Sequence, residues 1–213
     1  MLILILGGSG CGKSAYAEKR IVELAAENGT RRMPIYYLAT MHVYGEEGQR
    51  KVERHRAMRL DKGMFTVEQT SHVARALSQM ESGDRAVILE DLGNLVANEM
   101  FDKEQIPENT ADPVTEQTHE EATDSMMEQT HEESTDSMAE RIVREIMTLY
   151  KGVDHLVLVS NNVFEDGIEY EASTDQYIRV LGKVNTLLAK EADSVVEVVV
   201  GIPLEKKRGN SLT

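Results

Sequence analysis

The sequence predicts an α/β fold in which a mostly parallel sheet carries helices on both faces, with an acidic low-complexity insertion set into it. Three observations lead there. The first is a run of five apolar residues, Leu2 to Leu6, that passes directly into Gly7-Gly8-Ser9-Gly10-Cys11-Gly12-Lys13-Ser14 and then into a helical pattern. The second is the alternation of short β-rich runs with longer helical stretches, which calls for parallel strands joined by helical crossovers. The third is a repeated acidic stretch at about 102–139 that has too little apolar surface to belong to a core.

Leu2–Leu6 reads as a buried strand because an all-apolar run suits a strand covered on both faces. Gly7, Gly12, Lys13 and Ser14 fill the pattern G-x-x-x-x-G-K-[ST]. Glycines let the backbone curl so that successive N–H groups point inward at phosphate oxygens, and the helix that follows adds its positive end. Lys13 would reach the β- and γ-phosphates of a nucleoside triphosphate, and the Ser14 hydroxyl would hold Mg²⁺. Ala15, Ala17, Ile21, Leu24 and Ala25 form the apolar stripe of the first helix, which stops near Asn28-Gly29.

The second strand is Ile35 to Ala39, and a helix follows over Glu46 to Leu60. Met64 to Val67 is a short strand, and Ser71 to Met80 a helix with Ser71 as its cap. Arg85 to Glu90 is again a buried strand, with a helix through Met100 behind it. Beyond the acidic stretch come a helix over Met138 to Tyr150, a strand over His155 to Ser160 and a long helix over Thr174 to Ala192. A final strand over Ser194 to Val200 closes the sheet. Ligands of such sheets sit at the carboxyl ends of the strands. The loop Gly7–Ser14, the segment Thr40-Met41-His42, the pair Glu90-Asp91 and the pair Asn161-Asn162 should therefore meet on one edge.

At 213 residues the chain is long enough for one domain with a full core. No apolar run approaches the length of a membrane span. The apolar start is too short for a secretion signal, and the single cysteine cannot form an internal disulfide, so the expected location is the cytoplasm. Net charge is −14, but Asp102–Ala139 holds −11 of it and leaves −3 for the rest. An acidic chain argues against nucleic-acid binding. Within the acidic stretch, Glu116–Met126 recurs as Glu128–Met138 at a register of twelve residues, too short and too few for a solenoid. His119 and His131 stand beside glutamates there and could be drawn as a metal site, but the reading adopted is a solvated acidic linker or a frayed helix.

Two further places could carry chemistry. Glu90 ends an apolar strand, where a carboxylate can hold Mg²⁺, and the adjacent Asp91 points to the other face and suits a helix cap. Arg50 to Lys62 packs six cations into thirteen residues. On a helix Arg59 shares a face with His55. A neutral imidazole beside a guanidinium can attack phosphorus while the guanidinium holds the phosphate oxygens. With an ordinary pKa of about 6.5, roughly three quarters of such a histidine is unprotonated at neutral pH. The same cluster also fits a solvated helix face.

These residues resemble the bifunctional adenosylcobinamide kinase / adenosylcobinamide-phosphate guanylyltransferase family of cobalamin nucleotide-loop assembly. The likeness runs from Gly7-Gly8-x-x-x-Gly12-Lys13-Ser14 through Tyr37-Leu38-Ala39-Thr40 and Arg54-His55-Arg56-x-x-Arg59 to Thr66-x-Glu68. It continues through Glu90, Asn98-Glu99-Met100-Phe101, Val157 to Val163, Asp166-Gly167-Ile168 and Gly182-x-x-Asn185, and omits only the acidic stretch.

The resemblance implies a RecA-like domain assembled as a homotrimer. It implies two reactions: ATP or GTP phosphorylates adenosylcobinamide, and GTP then gives GMP to the phosphate through a guanylyl-histidine. His55 occupies the nucleophile's position, with Lys13 as its catalytic companion. The nucleotide contacts implied are Gly7, Gly8, Ser9, Gly10, Cys11, Gly12, Lys13, Ser14, Thr40, Met41, His42, Arg56, Ala57, Met58, Arg59, Glu68 and Glu90, with Ser14 and Glu90 on Mg²⁺. Where many relatives read Glu-Cys and Thr-Asn-Glu, this chain has Glu90-Asp91 and Ser160-Asn161-Asn162. Ile178-Arg179 and Asn185-Thr186 also depart from the usual pattern. A member with only one of the two activities, or a non-enzymatic GTP-binding scaffold, are the alternatives.

Overall fold

A computed structural model describes residues 1–26, 33–42, 50, 53, 59, 62–101, 134–164 and 170–208. In chain order the elements are β1 (Leu2–Gly7), α1 (Lys13–Ala26), β2 (Ile35–Ala39) and β3 (Met64–Glu68). A 3-10 segment (Val73–Gln79), β4 (Ala86–Glu90), α2 (Leu92–Phe101) and α3 (Thr135–Lys151) follow. The chain continues through β5 (His155–Asn161), α4 (Ala172–Glu191), β6 (Ser194–Val199) and β7 (Ile202–Lys207). Of the helix expected over 46–60, the described residues Arg50, Glu53 and Arg59 are helical. His119 and His131 lie outside the described residues.

The seven strands form one sheet in the order β3-β2-β4-β5-β1-β6-β7. Every pairing is parallel except the last, where β7 runs antiparallel to β6. Because side chains alternate across a strand, β1 feeds both sides of the sheet. Leu2 and Leu4 enter one core cluster, and Ile3 and Ile5 enter the other. All four are 0–1% exposed, so each contributes about 1.5–3 kcal/mol of burial. The side of Ile3 and Ile5 is covered by α1 through Ala17, Ile21, Leu24 and Ala25. The opposite side is covered by α2, α3, α4 and the 3-10 segment. The mostly parallel α/β fold with helices on both faces is therefore as the sequence predicts.

Four local differences have physical causes. Ala15 is exposed, because α1 faces the sheet through positions 17, 21, 24 and 25. The segment expected to be an α-helix over 71–80 winds instead as a 3-10 helix, after His72 at φ 47°. Its early backbone N–H groups are taken by carboxylates of neighbouring helices: His72 N donates to Glu99 at 2.7 Å and Ala74 N to Glu145 at 3.4 Å. The sheet does not close at β6. Val200 (φ 50°) and Gly201 (φ 80°) make a two-residue reversal, and β7 adds an exposed antiparallel edge.

The last difference concerns the acidic stretch. Helix α3 begins at Thr135, three residues before the expected Met138, with Ser134 capping it by accepting from Ser137 N at 3.2 Å. Ala139 is fully buried against the core. The residues that end the second repeat therefore belong to a packed helix. Residues 102–133 lie outside the described ones.

Two changes separate these roles. Removing residues 116–127, one copy of the repeat, should leave the thermal midpoint nearly unchanged, because closure entropy grows slowly with loop length. Ser134→Ala should cost about 1 kcal/mol, a drop of roughly 2–4 °C for a chain of this size. A large drop on the deletion, or none on the substitution, measured by circular-dichroism melting, would contradict this division.

Candidate nucleotide site

The site begins where β1 ends. Gly7 is buried, and a Cβ placed on it would lie 2.5 Å from Cys11 Sγ and 2.7 Å from the Val198 carbonyl oxygen, so no other residue fits this turn. Gly10 and Gly12 take φ values of 69° and 92°, the left-handed region that side chains avoid. The loop then enters α1, whose first residue is Lys13. Lys13 is 7% exposed, and its Nζ donates to the Gly8 carbonyl at 3.1 Å. Ser9, Gly10 and Gly12 are exposed, and Gly8 and Cys11 are half-buried, so the concave side of the loop opens outward.

The β6–β7 reversal braces this loop from below. Gly201 N donates to the Cys11 carbonyl at 2.7 Å, and Asn162 N donates to the Gly7 carbonyl at 2.9 Å. Neither brace could be foreseen from the motif, because both come from chain segments more than 140 residues away.

Across from the loop stands Glu90. Strand parity puts it on the α1 face with Ala86 and Ile88. β4 is two strands from β1, about 10 Å at ordinary strand spacing, and the glutamate side chain spans that gap. Ser14 Oγ donates to Glu90 Oε1 at 2.5 Å, while Glu90 Oε2 is buried with no hydrogen-bond partner. A hydroxyl and a carboxylate meeting at the mouth of a phosphate cradle, one oxygen left unsatisfied, is a donor set that suits a hard divalent cation such as Mg²⁺. Among the described residues no group of three or more His, Cys, Asp or Glu side chains could hold a metal by themselves. A cation here would need oxygens from a nucleotide as well.

Asp91 turns the other way. Its Oδ1 accepts from Asn94 N at 2.7 Å at the start of α2, and its Oδ2 accepts from Asn161 Nδ2 at 2.8 Å. The peptide between Glu90 and Asp91 is cis.

Behind Glu90 lies Tyr37, which is 6% exposed. Burial pushes its hydroxyl well above the ordinary tyrosine range, and the nearby negative charge of Glu90 adds to the shift. The guanidinium carbon of Arg59 sits 3.6 Å above the centroid of the Tyr37 ring, a cation–π contact. Arg59, Tyr37, Glu90 and Ser14 thus form a chain of contacts from the basic helix to the phosphate loop. Tyr37 reads in sequence as one more β-strand aromatic; the signal available was a phenol on a buried strand, which needs a partner for its hydroxyl.

Thr40 is fully buried just beyond β2, its hydroxyl donating to the Asp91 carbonyl at 2.8 Å. Asn98 of α2 holds this turn by donating to the carbonyls of Thr40 at 2.7 Å and Thr70 at 2.9 Å. Met41 is 46% exposed and His42 half-buried. Glu68 is exposed at the end of β3, which lies four strands from β1, so it stands about 19 Å along the sheet from the phosphate loop. The structure brings Lys13, Ser14, Glu90 and Arg59 into one constellation and leaves Glu68 at the far edge. His55, Arg56, Ala57 and Met58 lie outside the described residues.

A cavity of about 700 Å³ adjoins the loop on the β6 side, with Gly8, Cys11, Asn162, Tyr177 and Ile178 in its wall. A second, of about 420 Å³, shares Asn162 and Glu197 with it and reaches Asn185 and Thr186. No helix among the described residues is long and apolar enough to cross a membrane.

The bifunctional adenosylcobalamin biosynthesis protein CobU of Escherichia coli (strain K12) is 28% identical over 214 residues, covering 97% of this chain and all of that protein. A KaiC-like protein of Pyrococcus horikoshii OT3 superposes over 92% of this chain and 69% of its own, with 12% identity and a TM-score of 0.41. The family described as cobinamide kinase / cobinamide phosphate guanyltransferase matches residues 3–206. With a phosphate-binding loop facing Glu90 and a family match along nearly its whole length, the chain belongs to the cobinamide kinase / cobinamide phosphate guanyltransferase family.

Proposed function

We propose that the protein carries out both reactions of its family: it phosphorylates adenosylcobinamide with ATP or GTP, then transfers GMP from GTP to that phosphate through a guanylyl group on His55. The observation that carries this reading is the Ser14–Glu90 contact at the open side of the Gly7–Ser14 loop, in a chain that matches the family over residues 3–206.

In the kinase step the triphosphate lies against the backbone N–H groups of the loop and the start of α1. Lys13 exchanges its carbonyl partner, Gly8, for phosphate oxygens, a stronger charge-assisted contact. The acceptor hydroxyl attacks the γ-phosphorus; the new P–O bond forms as the bond to the nucleoside diphosphate breaks, and the hydroxyl proton leaves to a phosphate oxygen. Mg²⁺ held by Ser14 and Glu90 would supply positive charge to the β- and γ-phosphates.

In the second step a neutral imidazole nitrogen of His55 attacks the α-phosphorus of GTP, and pyrophosphate departs. The cobinamide phosphate oxygen then attacks the same phosphorus, the P–N bond breaks, and the histidine is regenerated. Arg59, four residues after His55 and stacked on Tyr37, would bring a guanidinium to the phosphate oxygens beside the nucleophile. Cytoplasmic location and a homotrimeric assembly belong to the same reading.

The covalent step gives the first test. Label from α-labelled GTP should remain on the protein through alkali and be lost in acid, as a P–N bond requires, and His55→Ala should abolish it with nucleotide binding retained. Labelling of the variant equal to the parent would remove His55 from the mechanism.

Lys13→Ala should reduce both activities together, by on the order of 10²–10³-fold, because both use a triphosphate on one cradle. Full kinase activity with guanylylation lost, in parallel assays of the two products, would require two separate nucleotide sites and would overturn the single-cradle scheme.

A further inference from the structure

The nucleotide loop has two flanks, and they differ in chemistry. On the flank toward β4 and β2 stand Glu90, Tyr37, Arg59 and the buried Thr40. On the flank toward β6 lies the cavity of about 700 Å³, which shares Gly8 and Cys11 with the loop itself. A volume of this size falls in the range of small-molecule sites.

The described lining of that cavity is mostly uncharged. Val163, Ile178, Val198 and Val199 supply apolar surface, Tyr177 supplies a hydroxyl, and no lysine or arginine is present. Its one charged residue, Glu197, is paired with Lys206 at 2.8 Å. Phosphate groups are held by cations and backbone donors, so this wall is unsuited to a second nucleotide. It suits a bulky, uncharged or weakly cationic molecule bearing hydroxyl and amide groups. The neighbouring cavity of about 420 Å³, reached past Asn162 and Glu197, extends the surface for a molecule larger than either.

We infer that the cavity between the loop and α4 is the acceptor site of the kinase reaction, holding the body of the alcohol so that its hydroxyl meets the γ-phosphate over Gly8. This rests on the kinase reading of the chain and adds where its second substrate binds and which side chains select it. Ile178 and Val199 form apolar walls for the acceptor. Asn162, at the junction of the two cavities, offers an amide for its polar substituents. The Tyr177 hydroxyl stands at the Gly93 turn, 2.9 Å from where a Cβ of residue 93 would lie, and Asp91 Oδ1 comes within 3.2 Å of the same point. Burial, with the Asp91 charge second, raises the Tyr177 pKa, so the phenol remains a hydrogen-bond donor at neutral pH.

The test is to narrow the cavity and compare two reactions of the full chain. Ile178→Trp and Val199→Trp each add bulk to its walls, and Val199 is 42% exposed, so that substitution places little demand on the fold. Kinase assays with adenosylcobinamide should show KM for the acceptor raised about tenfold or more, while KM for the nucleotide and acceptor-free labelling by α-labelled GTP stay within about twofold of the parent. An unchanged acceptor KM in a folded Val199→Trp protein overturns the assignment. So does a parallel loss of nucleotide affinity and self-labelling, which would make this flank part of the nucleotide site. A parent protein that neither labels itself nor phosphorylates adenosylcobinamide would instead refute the functional reading on which the assignment stands.

Discussion

Gly7 is the point at which the architecture and the chemistry become one constraint. There is no room at that residue for a side chain, because the Val198 carbonyl of β6 and the sulfur of Cys11 occupy the space a Cβ would take. That close approach lets the central strand turn sharply into the loop and sets the first turn of α1 with Lys13 and Ser14 in place. A central parallel strand makes this possible. With β5 on one side and β6 on the other, β1 is held by hydrogen bonds along both edges and by apolar layers on both faces. The loop at its end inherits that rigidity, and backbone donors that are held in place before a ligand arrives need little reorganisation to bind it.

The polar groups around the loop divide by face in the same way. Strand alternation sends Tyr37 and Glu90 toward α1, where they meet Ser14 and Arg59, and sends Thr40 toward α2, where Asn98 holds its carbonyl. Asp91, one residue past Glu90, is spent on structure: it caps α2 and anchors Asn161. Adjacent carboxylates thus have separate work because of backbone geometry, with no difference in their chemistry. The part-buried ion pair of Glu99 with Arg141, whose carboxylate also ties down His72 N, fastens α2 to α3 and the 3-10 segment. Glu99 is only 5% exposed, so loss of the Arg141 guanidinium would leave its carboxylate without the cation that offsets its burial.

Much of this was legible in the residues. Gly7 to Ser14, the apolar runs and their alternation with helical stretches carry the sheet, the loop and the position of Glu90, since short-range rules of spacing govern each of them. Helix type and ends were less legible. The 3-10 segment depends on carboxylates of Glu99 and Glu145 arriving from other helices, and the early start of α3 depends on Ala139 finding a place in the core. Neither partner is within a local window of sequence.

By itself, then, the sequence determined the parallel α/β class, the phosphate loop, the family resemblance and the candidate set Lys13, Ser14 and Glu90, because strand and helix periodicity and the steric freedom of glycine act over a few neighbouring residues. Only the tertiary structure decided the strand order, the antiparallel β7, the bracing of Cys11 by Gly201 and the contact of Arg59 with Tyr37. It alone also decided that Glu68 stands four strands away from the loop while Glu90 touches Ser14. These are facts about which distant segments lie side by side, and pairing between segments far apart in the chain follows from packing of the whole core and has no local signature.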